Sequence, residues 1–179
     1  MDDDALFALA ADIEGHPDNV APAFYGGFTV AYASGGRFRA TTVAVDPRVS
    51  AVALVPPDPV RTEVARGLLP ETVPHHDAAA NAGRAALLVA ALGRHPELLL
   101  DATEDRLHQD YREPAMPATL ALVRALRAEG HPAFVSGAGP TVLVLTDGSR
   151  EGEVAARAPA GWVVHTLAIG AEGASVTLV

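Results

Sequence analysis

The sequence predicts an α+β protein in two parts, a helix with a β-hairpin followed by a sandwich of helices packed on a sheet. Apolar residues recur at helical spacing near the N-terminus, Gly-rich turns separate short apolar strands, and strands alternate with helices from residue 51 onward. With 179 residues, 49% of them hydrophobic, the chain can bury a substantial core.

The first part covers residues 1–47. Apolar residues at positions 6, 9, 10 and 13 predict a helix over residues 5–13, which must end before Gly15 and Pro17. Residues 28–32 and 37–45 are predicted strands, because Ser34-Gly35-Gly36 between them suits a hairpin turn. The segment Asp46-Pro47-Arg48 is a plausible boundary before the second part.

The second part covers residues 48–179. Its predicted elements are a strand at 51–55, helices at 62–69, 77–92 and 117–129, strands at 133–136 and 142–145, a helix at 151–157, and strands at 163–169 and 174–178. This order of strands and helices is close to the split β-α-β plan of a ferredoxin-like α/β sandwich.

Composition excludes several classes of function. The net charge is −9 and the 13 basic residues, all arginine, form no cluster, so no nucleic-acid partner is predicted. No stretch approaches the roughly 20 apolar residues of a membrane span, and Met1-Asp2-Asp3-Asp4 is unlike the basic start of a signal peptide. The sequence therefore predicts a cytoplasmic protein, and the lack of cysteine leaves any chemistry to oxygen and nitrogen groups.

A dense polar turn comes directly after the first predicted helix. Glu14, His16, Asp18 and Asn19 lie within six residues, held by Gly15 and Pro17. Taken alone, such a turn is typical of a helix end in which Asp and Asn pair with nearby backbone amides. The next residues along the chain are Val20-Ala21-Pro22 and then Gly26-Gly27-Phe28, and the functional interpretation of the turn rests on the resemblance of this whole block to a known motif.

A second constellation, Ser136-Gly137-Ala138-Gly139-Pro140-Thr141, lies between two apolar strands. Its glycines let the backbone approach a ligand or a neighbouring loop closely. Taken alone, it is equally typical of a tight hairpin.

These two segments, in this order, resemble motifs of the GHMP small-molecule kinases, in the branch that acts on L-homoserine. Weaker resemblances lie between them. They run over residues 62–70, which include Thr62 and Arg66, over residues 73–84, and over residues 107–112, which end in Arg112. The resemblance extends from Ala5 to the end of the chain.

The resemblance implies transfer of the γ-phosphoryl group of ATP to the side-chain hydroxyl of L-homoserine. Glu14 would help to hold Mg²⁺, and His16, Asp18 and Asn19 would bind the amine and the hydroxyl of the substrate. Asp18 and Asn19 remain alternatives for the group nearest the reacting hydroxyl. The other implied roles are substrate binding by Thr62, Arg66 and Arg112, with the arginines on the carboxylate, and ATP binding by Ser136, Gly137, Ala138 and Gly139.

The sequence departs from the family pattern in one respect. Nothing in it resembles the phosphate loop of the family, Pro-x-x-x-Gly-Leu-Gly-Ser-Ser-Ala. We therefore expect residues 1–47 to represent the last part of an N-terminal nucleotide domain, and the isolated chain to be inactive. Two alternatives stay open, a non-catalytic ferredoxin-like domain that binds an amino acid or a protein, and a GHMP kinase for another alcohol such as mevalonate. An unpaired edge on the hairpin predicts a homodimer or aggregation.

Overall fold

The computed structural model of the chain, which describes residues 2–170 and 172–175, divides into two units. One consists of residues up to Val45 together with those from Ile169 onward, and the other runs from Asp46 to Ala168. The division falls beside the predicted boundary at residues 46–48. The C-terminal residues nevertheless lie with the first unit, where Gly26 pairs with Glu172 and the Ala174 N–H donates to the carbonyl of Ala23. The assignment of the two parts to kinase domains stays a prediction.

The first unit contains two helices and a hairpin. Its elements are α1 (Asp3–Glu14), α2 (Val20–Tyr25), β1 (Phe28–Ser34) and β2 (Arg37–Val43). Helix α1 begins where the Asp2 carboxylate accepts the Ala5 N–H at 2.9 Å, and it ends at Gly15, whose φ of 86° is left-handed. Helix α2 was not predicted from the sequence. Pro22 is its third residue, where a missing N–H removes no hydrogen bond within the helix.

The core of the first unit is small. Phe7, Ala11 and Ala21 are buried and pack against partly buried side chains of α2 and the hairpin. The opposite face of α1 is apolar as well, but Leu6, Leu9 and Ile13 are 41%, 49% and 80% exposed. Helical spacing therefore located the helix correctly, whereas the stripe that it buries is the one at positions 7 and 11.

The second unit is built on a four-stranded antiparallel sheet. Its strands are β3 (Ser50–Val55), β4 (Ala133–Val135), β5 (Val142–Thr146) and β6 (Val163–Ala168), in the spatial order β4-β5-β3-β6. Val52 at its centre lies opposite Val144 on one side and Thr166 on the other. This order is that of a ferredoxin-like sheet, as the sequence predicts. The last predicted strand is not observed at Ala174 and Ser175, and residues 176–178 lie outside the described residues.

Helices and loops complete the second unit. The helices are α3 (Thr62–Gly67), α4 (His75–Gly93), α5 (Leu99–Ala102), α6 (Pro117–Ala128) and α7 (Glu151–Ala155), with 3₁₀ helices at Pro96–Leu98 and Asp110–Ala115. Leu120, Val123 and Leu126 bury one face of α6 against Val52 and Val144 of the sheet. Helix α5 and both 3₁₀ helices were not predicted from the sequence. Among the described residues, none of the helices combines the length and apolar character needed to cross a membrane.

Candidate functional site

The polar turn of the first unit connects α1 to α2 and is open to solvent. His16 Nδ1 lies 2.6 Å from Asp18 Oδ1, and His16 Nε2 lies 3.8 Å from Glu14 Oε1. The Asn19 N–H donates to the Asp18 carboxylate at 3.0 Å. The Glu14 and Asp18 side chains are 55% and 73% exposed. The structure thus brings the predicted polar groups together, while the role of each in binding stays a prediction.

The predicted metal ligand Glu14 belongs to this turn. Carboxylate oxygens are the donors that Mg²⁺ prefers, so Glu14 and Asp18 are chemically suitable. Within residues 2–170 and 172–175, no group of three or more His, Asp or Glu side chains is arranged to hold a metal ion.

Arg112 is the most deeply buried of the predicted site residues with a charge. It lies in the 3₁₀ helix Asp110–Ala115 and is 8% exposed. One terminal nitrogen, Nη1, donates to the carbonyl of Gly137 at 2.8 Å. Its buried Nε has no hydrogen-bond partner among the described residues. Arg112 therefore contacts the glycine-rich loop through Nη1 and has an unpaired donor at Nε.

The electrostatic surroundings of Arg112 are unusual for an arginine. Burial lowers its pKa, and the neighbouring Arg66 guanidinium lowers it further, while Asp105 acts in the opposite direction. Arg66 is exposed on α3, a helix that packs against the 3₁₀ helix of Arg112. Thr62 is exposed at the first residue of α3, one turn before Arg66. Arg112 thus has one negative neighbour, Asp105, and one positive neighbour, Arg66, and the effect of Asp105 is the larger of the two.

The glycine-rich loop, residues 136–141, is a closed turn between β4 and β5. The Ser136 N–H donates to Thr141 O and the Gly139 N–H donates to Ser136 O, both at 2.9 Å. The buried Thr119 hydroxyl of α6 donates to the carbonyl of Pro140 at 2.8 Å. Four of its residues, Ser136 to Gly139, are the predicted nucleotide-binding group. Their position beside Arg112 is established, and their nucleotide-binding role stays a prediction.

A glycine is suited to each of the two positions in this loop for a different physical reason. Gly137 has a φ of 57°, and a Cβ there would meet nothing within 4 Å. Gly139 has a φ of 85°, and a Cβ there would lie 2.6 Å from Met116 Sδ and 2.9 Å from Val135 Cγ1. Gly139 is therefore needed for packing, whereas Gly137 leaves open space beside the loop that a ligand could fill.

A turn that overlaps the noted segment 107–112 supports this region, and we call residues 104–109 the Asp105 turn. The sequence analysis missed Asp105 and its capping role. The Asp105 carboxylate accepts the N–H groups of His108 and Gln109 at 2.9 and 2.7 Å, and lies 2.9 Å from His108 Nδ1. Burial alone would raise the pKa of Asp105, but these hydrogen bonds outweigh burial and hold the pKa below its usual value. The signal in the sequence was an Asp three and four residues before the amides that it caps.

Helix α4 holds the Asp105 turn from the other side. The Asn81 side-chain oxygen accepts the Arg106 N–H at 2.9 Å, and the Arg84 guanidinium pairs with Glu104 at 2.6 Å. Burial acts to raise the pKa of Glu104, but hydrogen bonds from Arg84 and Arg106 lower it below its usual value. Asn81 and Arg84 lie in the segment 73–84, whose resemblance was noted in the sequence. Their observed contacts are those of residues that fix a loop.

Comparison with known proteins gives this arrangement a family. Residues 78–164 match the family model described as GHMP kinases C terminal. These residues therefore carry the C-terminal segment of the GHMP kinase family. Within it, the chain is 58% identical over 176 residues to the homoserine kinase of Streptomyces avermitilis and 50% identical over 186 residues to that of Clavibacter michiganensis subsp. michiganensis. The matches cover 98% and 100% of the chain, but each covers 58% of the relative.

Solved structures share the fold. The homoserine kinase of Cytophaga hutchinsonii matches with a TM-score of 0.77 at 24% identity, over 88% of this chain and 53% of that one. The mevalonate diphosphate decarboxylase of Staphylococcus aureus matches with a TM-score of 0.62 at 15% identity, over 97% of this chain and 60% of that one. The chain therefore spans little more than half the length of the proteins that it resembles.

Proposed function

We propose that this chain is the acceptor-binding part of a homoserine kinase. The reaction would transfer the γ-phosphoryl group of ATP to the hydroxyl of L-homoserine, giving O-phospho-L-homoserine for threonine biosynthesis. The observation that carries the proposal is the buried guanidinium of Arg112, which is bound to Gly137 and has an unpaired Nε.

A buried donor without a partner favours the binding of a ligand that accepts a hydrogen bond from it. Leaving such a group without a partner costs about 1–3 kcal/mol, so a buried guanidinium nitrogen is expected to find an acceptor in the working protein. Carboxylates are the natural acceptors, because they match the planar donor edge of arginine. Arg66 adds a second positive charge near Arg112, which suits the carboxylate of an amino acid. We propose that Thr62, at the start of the same helix, contributes to this binding.

The amine and the hydroxyl of L-homoserine need groups of the opposite character. We propose that His16, Asp18 and Asn19 bind them, since the turn offers a carboxylate, an imidazole and an amide in solvent-accessible positions. Asp18 and Asn19 are the candidates nearest the reacting hydroxyl. Positioning is the main requirement of phosphoryl transfer, because its transition state is loose and needs little covalent help.

ATP and Mg²⁺ are the proposed co-substrate and metal. When bound, Mg²⁺ would neutralise charge on the transferred phosphoryl group. Glu14 would hold it through water, and the backbone of Ser136 to Gly139 would lie against the nucleotide. The exposed position of Gly137, with no side chain, supports close approach of a ligand to this backbone.

We further propose a cytoplasmic location and a homodimer. The similarity to homoserine kinases supports the first. The exposed apolar face of α1 supports the second. A monomer in light scattering would contradict the proposed homodimer and would leave the proposed reaction unaffected.

Calorimetry with the Arg112→Met variant tests the acceptor role. We expect L-homoserine affinity to fall about 10- to 100-fold, as loss of one charge-assisted hydrogen bond predicts. Arg61→Met is the matched control, because Arg61 directly precedes α3 and its side chain is 82% exposed. Equal L-homoserine affinities in the unaltered chain, Arg112→Met and Arg61→Met would contradict the proposal. Binding of L-homoserine without binding of magnesium-ATP would favour the amino-acid-binding alternative.

A further inference from the structure

Strand β4 forms one edge of the sheet, and side chains occupy its outward backbone groups. An edge strand leaves alternate N–H and C=O groups without partners in the sheet. The N–H of Val135 donates instead to Gln109 Oε1 at 2.7 Å, and the carbonyl of Ala133 accepts from Arg127 Nη1 at 3.1 Å. Gln109 therefore supplies to the N–H of Val135 the acceptor that a neighbouring strand would otherwise provide.

Gln109 is itself fixed by the Asp105 turn. Its N–H donates to Asp105 Oδ2 at 2.7 Å, and the Asn81 amide of α4 lies 3.4 Å from Asp105 Oδ1. The position of its side chain is thereby set by contacts on both sides, from α4 through Asp105 and from β4. A side chain held in this way couples the position of α4 to the position of β4.

Val135 is the last residue of β4, directly before the glycine-rich loop. Three side chains from one segment hold this stretch of backbone, Gln109 at Val135, Arg112 at Gly137 and Thr119 at Pro140. Their partners are 26, 25 and 21 residues away in the chain, so these are tertiary contacts. Gln109 and Arg112 are also joined directly, since the Arg112 N–H donates to Gln109 O at 3.1 Å.

We propose that Gln109 is a positioning residue that sets the glycine-rich loop against Arg112 and thereby sets the affinity for the amino-acid carboxylate. It contacts no substrate in this scheme. It fixes Val135, and the adjoining loop then keeps Gly137 O at the guanidinium of Arg112, the group that is proposed to bind the carboxylate. The binding part of this inference rests on the proposed function, whereas the part about the loop does not.

Two variants separate the hydrogen bond from the shape of the side chain. Gln109→Met keeps length and removes the acceptor, while Gln109→Glu keeps an acceptor oxygen. Amide hydrogen exchange at Val135 and the amide chemical shift of Gly137, measured on the whole chain, report the loop. Calorimetry with L-homoserine reports binding.

We expect Gln109→Met to speed exchange at Val135 and to weaken L-homoserine binding, each about tenfold, the usual size for one lost hydrogen bond. Amides of β3 should keep their protection, and Gln109→Glu should restore both readouts. Unchanged Val135 exchange, or equal loss of protection in β3, would overturn the positioning role. If the unaltered chain fails to bind L-homoserine, the proposed function fails, while the exchange data still decide whether Gln109 holds the loop.

Discussion

The two regions that the sequence marks as functional are built in opposite ways. The turn from Glu14 to Asn19 gathers its polar groups within six residues, and the Asp18 side chain is 73% exposed. The loop at residues 136–141 is held by Arg112 and Thr119, which are 8% and 2% exposed, from more than 20 residues away. The first region has its chemistry in local sequence, and the second owes its shape to tertiary contacts.

The two regions should therefore tolerate change differently. An exposed turn loses little when one side chain is altered, because water replaces the lost contact. A loop held by buried side chains is left with an unpaired donor or acceptor, or with a steric overlap, that water cannot relieve. Stability measurements should separate the two regions, and substitutions at Gly139, Thr119 and Asp18 span the expected range.

The largest effect is expected for Gly139→Ala. The new Cβ would overlap Met116 Sδ and Val135 Cγ1 at a φ of 85°, which should destabilise the second unit by about 2–4 kcal/mol. Chemical unfolding followed by fluorescence measures this, because Trp162 is the single tryptophan and packs on the core of this unit.

Gly137→Ala is the matched control for Gly139→Ala. Its positive φ costs about 1–2 kcal/mol, but its Cβ would lie in open space. Equal losses for the two glycines would show that backbone strain alone decides, and that the contact with Met116 does not matter.

An intermediate effect is expected for Thr119→Val. The substitution keeps the shape of the side chain and leaves the carbonyl of Pro140 without its donor, which should cost about 1–3 kcal/mol. Thr119→Ser retains the hydroxyl and should lose much less. The same fluorescence-detected unfolding serves here, and a Val variant as stable as the unaltered chain would mean that the loop is not held through this bond.

The smallest effect is expected for Asp18→Asn. Its side chain is 73% exposed, so the free energy of unfolding should change by less than about 0.5 kcal/mol in circular dichroism melts. If positioning dominates phosphoryl transfer, an active form of the kinase should also keep most of its kcat. A loss of more than about 10⁴-fold, beyond the usual range of general-base catalysis, would instead make Asp18 an essential base.

The sequence predicted those elements whose residues carry their own signal. The run from Ala51 to Val55 is apolar and bounded by prolines, so β3 was recognisable, and so were the long helices α4 and α6. Helix α2 was not predicted because residues 20–22 were interpreted only as part of a motif. The short helices between residues 96 and 115 were not predicted, because contacts from distant residues hold this stretch in place. One such contact joins Asn81 to Arg106.

The candidate site shows the same limit. Arg112 and the glycines were found through resemblance to a motif. Asp105 was overlooked although its spacing to the amides that it caps was visible in the sequence. The roles of Gln109 and Thr119 could not be predicted, because nothing near them in the chain reveals a partner that lies 21–26 residues away. Residues that position a loop are visible only once the fold brings their partners to them.

One comparison of ligands tests most directly the claim that Arg112 and its loop form a carboxylate site. L-Homoserine and 3-aminopropan-1-ol share the hydroxyl and the amine, but only the first has a carboxylate. Titration followed by amide shifts should show binding of L-homoserine with changes at Arg112 and Gly137, and binding of the amino alcohol at least about tenfold weaker. Equal affinities, or shifts confined to residues away from Arg112 and the loop, would contradict the claim.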